Sequence, residues 1–273
     1  MNQAPTLHET LAVVLSRTFV DGEVGFTGLL TGAAAAIYGT SIPLAAMELA
    51  RRSHAPNLTI LLAGCYHNPV LDELDRLPDS EHDAQLRDLA CEAQTIDYPG
   101  QWALKRGDVR FGFSSAVQVD VVGNINSVCV GPYEHPKVRL VGPILQPEHM
   151  TLFGREYVMM PHHERRNFVE KVDYVSGVGY PGGEAGRRAL GLDSGGPCFV
   201  ITPRCVFDFD REAGRIRVHS IHAGVSADEL RAATGFDLGD LSAVPVTEAP
   251  STEELRLLRE SVDPRNILRL RAD

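Results

Sequence analysis

Residues 58–64 read LTILLAG, seven residues without a charge, closed by a glycine. A short apolar run bounded by turn residues is a buried strand, and a strand buried on both faces needs helices on both sides of its sheet. One helix is expected just upstream, where a small-residue stretch gives way near Ser41 to a pattern that runs to Arg51 and Arg52. Strand after helix is the rhythm of a βαβ unit. The chain therefore reads as α/β, an open, mostly parallel sheet with flanking helices.

The rest of the chain keeps that rhythm. Leu7, Leu11, Val14, Leu15 and Phe19 recur at helical spacing, and Thr6 with Glu9 has the form of a capping box. Gly22, Gly25, Gly28 and Gly32 then punctuate a stretch that either cradles a ligand or simply packs closely. Residues 72–87 are charge-rich and read as an exposed loop or loosely held helix with no chemistry assigned. Strands are expected near Val109, Ala116 and Lys137, with Gly107 ending a preceding helix. CVFDFD and RIRVHSIH, joined through Glu212, Ala213 and Gly214, form a hairpin with alternating faces. Ser251 and Glu254 cap a closing helix that Pro264 terminates. With no repeat, low-complexity tract or linker, residues 1–273 are expected to form a single domain.

Charge narrows the function. A net charge of -10 opposes nucleic-acid binding, which draws its affinity from clustered Lys and Arg. The five cysteines are odd in number and lack a C-x-x-C pair, so neither a zinc site nor a disulfide framework is expected, and reduced cytoplasmic thiols are. The first residues lack a basic-then-apolar leader, and no run approaches the ~18 apolar residues of a membrane span. His162 and His163, beside Glu164 and two arginines, read as a solvated helix start, with no metal-ligand spacing.

Residues 114–127, SSAVQVDVVGNINS, carry Gln118 and Asp120 on an apolar alternation, then a Gly123-Asn124 turn and Asn126. This segment resembles the β subunit of glutaconate CoA-transferase and its class I relatives. The likeness continues through HPKVRL, RRNFVEKVDYVSGVGY, the GGP at residues 195–197 and the ending TEELRLLRESVDP. It implies the class I CoA-transferase fold, an α-type partner in a heterodimer or α2β2 heterotetramer, and an active site formed by both subunits. The ligand it implies is an acyl-CoA thioester, with no separate cofactor and no metal. The acidic balance does not oppose CoA, because a few local cations and N–H groups suffice for its phosphates.

Two departures from the family pattern matter. Class I transferases attack the thioester with a Glu at the end of the strand corresponding to residues 58–64, giving a covalent intermediate. This chain reads Leu62, Ala63, Gly64, Cys65, Tyr66 and His67 there, with Leu62 in the place of the Glu. After HPKVRL the family carries a glycine-rich oxyanion loop; here residues 141–147 are VGPILQP, and two prolines remove two N–H donors. A heteromer lacking that Glu resembles the cholesterol ring-degrading hydrolase branch, in which the partner supplies the catalytic carboxylate. On that resemblance, residues 62–67 would line a pocket with Ser114, Gln118, Asp120 and Asn126. Gln118 would hydrogen-bond a substrate carbonyl, and Asp120 would orient neighbours or equally cap the Gly123-Asn124 turn. Cys65 reads as a small buried residue before a nucleophile, and His67 as pocket lining or packing before a base. The alternatives are a CoA-transferase β subunit and a non-catalytic assembly subunit.

Overall fold

In the computed structural model, which describes residues 3–30, 33–71, 83–94, 107–193 and 195–270, Thr6 and Glu9 cap the first helix as their spacing demands. Thr6 accepts the Glu9 N–H at 3.2 Å, and Glu9 accepts the Thr6 N–H at 2.8 Å. By their contacts the residues fall into two compact units, Met1–Phe113 with Glu248–Asp273, and Ser114–Thr247.

In the first unit, α1 (Leu7–Ser16) packs on α3 (Ile42–Arg51), and Leu11, Leu15, Met47 and Leu49 of the two helices are essentially inaccessible. The helix expected near Ser41 starts earlier, with α2 (Ala33–Ala36) and a π-helical segment, Ile37–Ser41. Four alanines are strong helix formers, so the backbone coils before its first large apolar residue. Pro43 has no N–H for the Gly39 carbonyl, and the Thr27 hydroxyl donates to that carbonyl instead at 3.0 Å. Strands β1 (Val24–Thr27), β2 (Thr59–Leu62), β3 (Tyr66–His67), β4 (Ala93–Gln94) and β5 (Phe111–Ser114) lie in the order β5–β1–β2–β3–β4. β1 runs parallel to both β2 and β5, while β3 and β4 turn antiparallel toward the edge. The 58–64 run is thus a buried strand as read, flanked by paired neighbours.

In the second unit, β6 (Gln118–Asp120) sits in a three-stranded sheet with β7 (Ile125–Asn126) and a later strand, and β8 (Cys129–Val130) pairs with β9 (Val138–Arg139). Helix α4 (Gln146–Leu152) leads into β10 (Arg155–Met159), and β11 (Phe168–Val169) completes the three-stranded sheet. After α5 (Gly183–Ala189), β12 (Pro197–Ile201), β13 (Cys205–Asp210) and β14 (Arg215–Ile221) follow in the order β14–β13–β12–β10, then α6 (Ala227–Ala233). β10 and β12 are parallel, and β13–β14 is the expected antiparallel hairpin. Val119, Ile125, Met150, Val158, Phe168 and Phe207 form its dry core.

The closing helix, Thr252–Leu257, is capped by Ser251 and Glu254 as expected and continues as a π turn, Leu258–Val262, before Pro264. Arg17 on the first unit's opening segment grips Glu254 at 2.8 Å, and Arg259 grips the almost fully buried Glu9 at 2.7 Å. Burial alone would raise the Glu9 pKa, but the Arg259 guanidinium keeps it below the usual carboxylate value.

One expectation is corrected. His163 does not begin a solvated helix: it is 4% exposed, its ring held by the Thr202 and Thr234 hydroxyls at 2.9 and 3.1 Å and set against Phe168. The charges around it in sequence point outward while the ring turns into the core. Residues 72–82, and the helix expected before Gly107, lie outside the described residues; Ala84–Leu86 form a short 3-10 turn. Among the described residues no helix is long and apolar enough to cross a membrane.

Candidate functional site

In the first unit the candidate region is the end of β2. Leu62 pairs with Thr27 of β1 on one side and Tyr66 of β3 on the other, so the chain must reverse within residues 63–65. Cys65 N–H closes the turn on the Leu62 carbonyl at 3.1 Å, with φ of 52° at Ala63 and 73° at Gly64. Gly64 takes that left-handed backbone readily, whereas Ala63 bears the strain of a Cβ there. Leu62 has no accessible surface, so it is a core residue. Ala63, the next residue, is partly exposed, as are Cys65 and His67, and Tyr66 is buried, its phenol pKa raised by that burial. No Asp or Glu occurs from residue 59 to residue 71.

A cavity of about 370 Å³ lies in the same unit between the end of α3 and residues 68–71. Its Arg51 and Arg52 are already paired with Glu48, at 3.1 and 2.6 Å. Among the described lining residues, Glu48 and Glu92 offset the two guanidinium groups.

The second unit holds, by itself, a buried polar network. Asn126, wholly inaccessible, donates to Gln118 Oε1 and the Cys129 carbonyl, both at 2.7 Å, and accepts the Val128 N–H at 2.9 Å. Gln118 also receives the Asp173 N–H and donates back to the Asp173 carboxylate at 2.9 Å. Its amide therefore braces the fold at both ends. Asp120 accepts the N–H groups of Val122, Asn124 and Val172 and the Asn124 side chain, which is the geometry of a turn cap. Burial raises its pKa, and the Asn124 bonds oppose that rise. Gly123, at φ of 81°, lies so close to Phe209 that a Cβ would stand 2.4 Å from the ring.

Sequence reasoning missed what lies beside this network. Gln146, the first residue of α4, accepts the Ser127 and Ser176 hydroxyls at 2.7 and 2.8 Å and donates to the Ser115 carbonyl at 2.6 Å. It anchors residues 141–145, where Val141 and Ile144 are 86% and 69% exposed and Ile144 has φ of 46°. A β-branched residue in that region is a true outlier of the kind that clusters at functional loops. Ser114, His149 and Glu156 form a second buried cluster. A lone His and Glu seven residues apart carry no sequence signal, since a helix and a strand must fold before they meet. Among the described residues no group of three or more His, Cys, Asp or Glu is placed to hold a metal.

Comparison with known proteins gives this arrangement a lineage. The family described as Coenzyme A transferase matches residues 103–233. The β subunit of glutaconate CoA-transferase from Acidaminococcus fermentans is 30% identical over 268 residues, covering 95% of this chain and 93% of the relative. The crystal structure of glutaconate CoA-transferase from that organism superposes with a TM-score of 0.77 over 97% of this chain and 98% of its own. The cholesterol ring-cleaving hydrolase IpdB subunit of Mycobacterium tuberculosis is 33% identical over 159 residues, 56% of this chain and 60% of the relative. Rhodococcus jostii IpdAB superposes with a TM-score of 0.77 at 25% identity, over 99% of this chain and 100% of its own. The sheet, parallel at its centre and flanked by helices, is the class I CoA-transferase fold. Identity across nearly the whole of a transferase β chain settles the lineage: the chain belongs to the Coenzyme A transferase family.

Proposed function

We propose that this chain is the β-type subunit of a cytoplasmic heteromeric hydrolase that opens a carbocyclic ring in a steroid-derived CoA thioester. Its α-type partner supplies the catalytic carboxylate, in a heterodimer or α2β2 heterotetramer. The observation that carries this reading is the hairpin at the end of β2. It has no acidic residue from 59 to 71, and its partly exposed side chains include the small, apolar Ala63. A transferase needs a nucleophilic carboxylate there, while a fused carbocycle needs apolar walls and few polar anchors. The replaced loop, with Pro143 and Pro147, supports the same reading. In the reaction, water adds OH to a ring carbonyl carbon and H to the departing carbon, so no acyl-enzyme on this chain is required. The likeness to the IpdB subunit supports this choice, although the likeness to the glutaconate enzyme's β chain covers more of the sequence.

That coverage keeps a CoA-transferase β subunit as the second reading. The test is the complex with an α-type partner, given a CoA thioester of a fused-ring ketone and a free carboxylate acceptor. Hydrolysis yields a product heavier by one water with its CoA retained. CoA moved to the acceptor, with a glutamyl-CoA adduct on this chain, would overturn the hydrolase reading. Full activity of the partner alone would leave this chain an assembly role only.

A further inference from the structure

Glu156, in β10, has no accessible surface. Its Oε1 accepts the Ser114 hydroxyl in a short hydrogen bond and lies 3.1 Å from His149 Nδ1. Ser114 Oγ and His149 Nδ1 are 3.4 Å apart, so the hydroxyl and the ring nitrogen converge on one carboxylate oxygen. The other oxygen, Oε2, is buried with no hydrogen-bond partner among the described residues. A carboxyl group so enclosed is costly, and well-packed apolar side chains of similar size often serve stability as well or better. Each such group therefore calls for a specific explanation.

The explanation lies on α4. Gln146 and His149 are three residues apart on that helix and share a face. Gln146 ties the face to Ser115, Ser127 and Ser176, and His149 ties it to Glu156, with its ring stacked on Phe153 at 4.5 Å. The same carboxylate holds Ser114, the residue next to Ser115. The strained segment 141–145 leads directly into α4, whose first residue is Gln146.

We propose that Glu156 is a positioning residue, whose carboxylate, paired with His149 and Ser114, sets α4 and thereby holds the strained 141–145 loop for reaction. Naming the substrate as a CoA thioester rests on the function proposed above; the positioning itself does not.

The test compares wild type with Glu156→Gln, which keeps the shape but loses the charge and puts an NH2 group among donors. In the complex, hydrogen exchange at the 141–146 amides should quicken by about tenfold while the β13–β14 hairpin keeps its protection. The downfield imidazole N–H signal of His149 should also disappear. With the CoA thioester as substrate, kcat should fall by about tenfold and KM should stay within about twofold. His149→Asn should reproduce the loop exchange, and the double variant should add little. Ser114→Ala, which removes a single donor, should show a smaller effect of the same kind. Unchanged loop exchange in Glu156→Gln overturns the proposal whatever the activity, and so does loosening that extends equally to β13–β14. Absence of CoA-thioester turnover in the wild-type complex defeats the proposed function instead, and leaves the exchange comparison to decide this inference.

Discussion

Ala63 and Ile144 hold left-handed backbone without the excuse of glycine. Asn68 and Asn266 share that backbone region, but Asn tolerates it. Replacing Ala63 or Ile144 by Gly should raise the urea midpoint, each by about 1 kcal/mol of stability. A fall in both would show that the strain is absent in solution. Burial separates the neighbours at the strand end more sharply. Leu62→Glu places an unpaired carboxylate in the dry core and should cost about 3 kcal/mol or more, whereas Ala63→Glu should cost about 1 kcal/mol or less. Equal losses in thermal melts would refute the placement of Leu62 in the core.

At the scale of elements, the two ends of the chain are sewn into one unit by a small set of charges. Arg17 holds the Glu254 carboxyl down at about 2, from an ordinary 4.5, and the capping bonds to Ser251 add to this. The folded pKa lies below the unfolded one, so the pair's contribution is complete above pH 4.5 and is lost as pH falls toward 2. Both side chains are 28% exposed, so solvent screening limits the contribution to about 1 kcal/mol. Arg17→Met should therefore flatten the acid limb of stability in that window, as read by urea titrations at stepped pH. An acid limb identical to wild type would mean the contact contributes nothing. The capping boxes at Thr6, Ser226 and Ser251 each satisfy N–H groups that a helix start leaves open. Those at Thr6 and Ser251 were legible in sequence because a cap needs only residues three apart.

For the molecule as a whole, the buried histidines set how far acid can be tolerated. Burial pushes His163 down to about 3, with Arg204 adding to the effect, and burial lowers His222 as well. An unfolded His binds a proton near 6.5, so the neutral ring's contribution is full above that value and is lost as pH falls from 6.5 toward 3. The slope approaches ~1.4 kcal/mol per pH unit for each such group. His163→Gln, which retains hydrogen-bonding capacity toward Thr202 and Thr234, should be less stable at neutral pH but lose less stability on acidification. Parallel curves for variant and wild type would remove His163 as the cause. The polar network makes a further demand on the second unit: Asn126→Ala strands Gln118, Val128 and Cys129 groups and should cost about 3 kcal/mol in urea unfolding.

Local chemistry, readable along the chain, determined the elements of this protein. Within the apolar 58–64 run, Thr59–Leu62 form the strand, and Gly64 permits the turn that follows. The Thr6 and Ser251 boxes start helices, and the 205–221 alternation makes a hairpin. The absence of any Asp or Glu from residue 59 to residue 71 is a property of sequence alone, and so is the lack of a backbone N–H at Pro143 and Pro147. Tertiary structure decided the direction and burial of side chains. It put Leu62 in the core and Ala63 beyond it, closed Gln118 and Asn126 on each other, and turned His163 inward from a charged stretch. It also brought Ser114, His149 and Glu156 from a strand, a helix and another strand onto one carboxylate oxygen. Burial and hydrogen-bond pairing arise only when separate elements pack. Residues that act through a partner distant in the chain therefore leave no periodicity to be read.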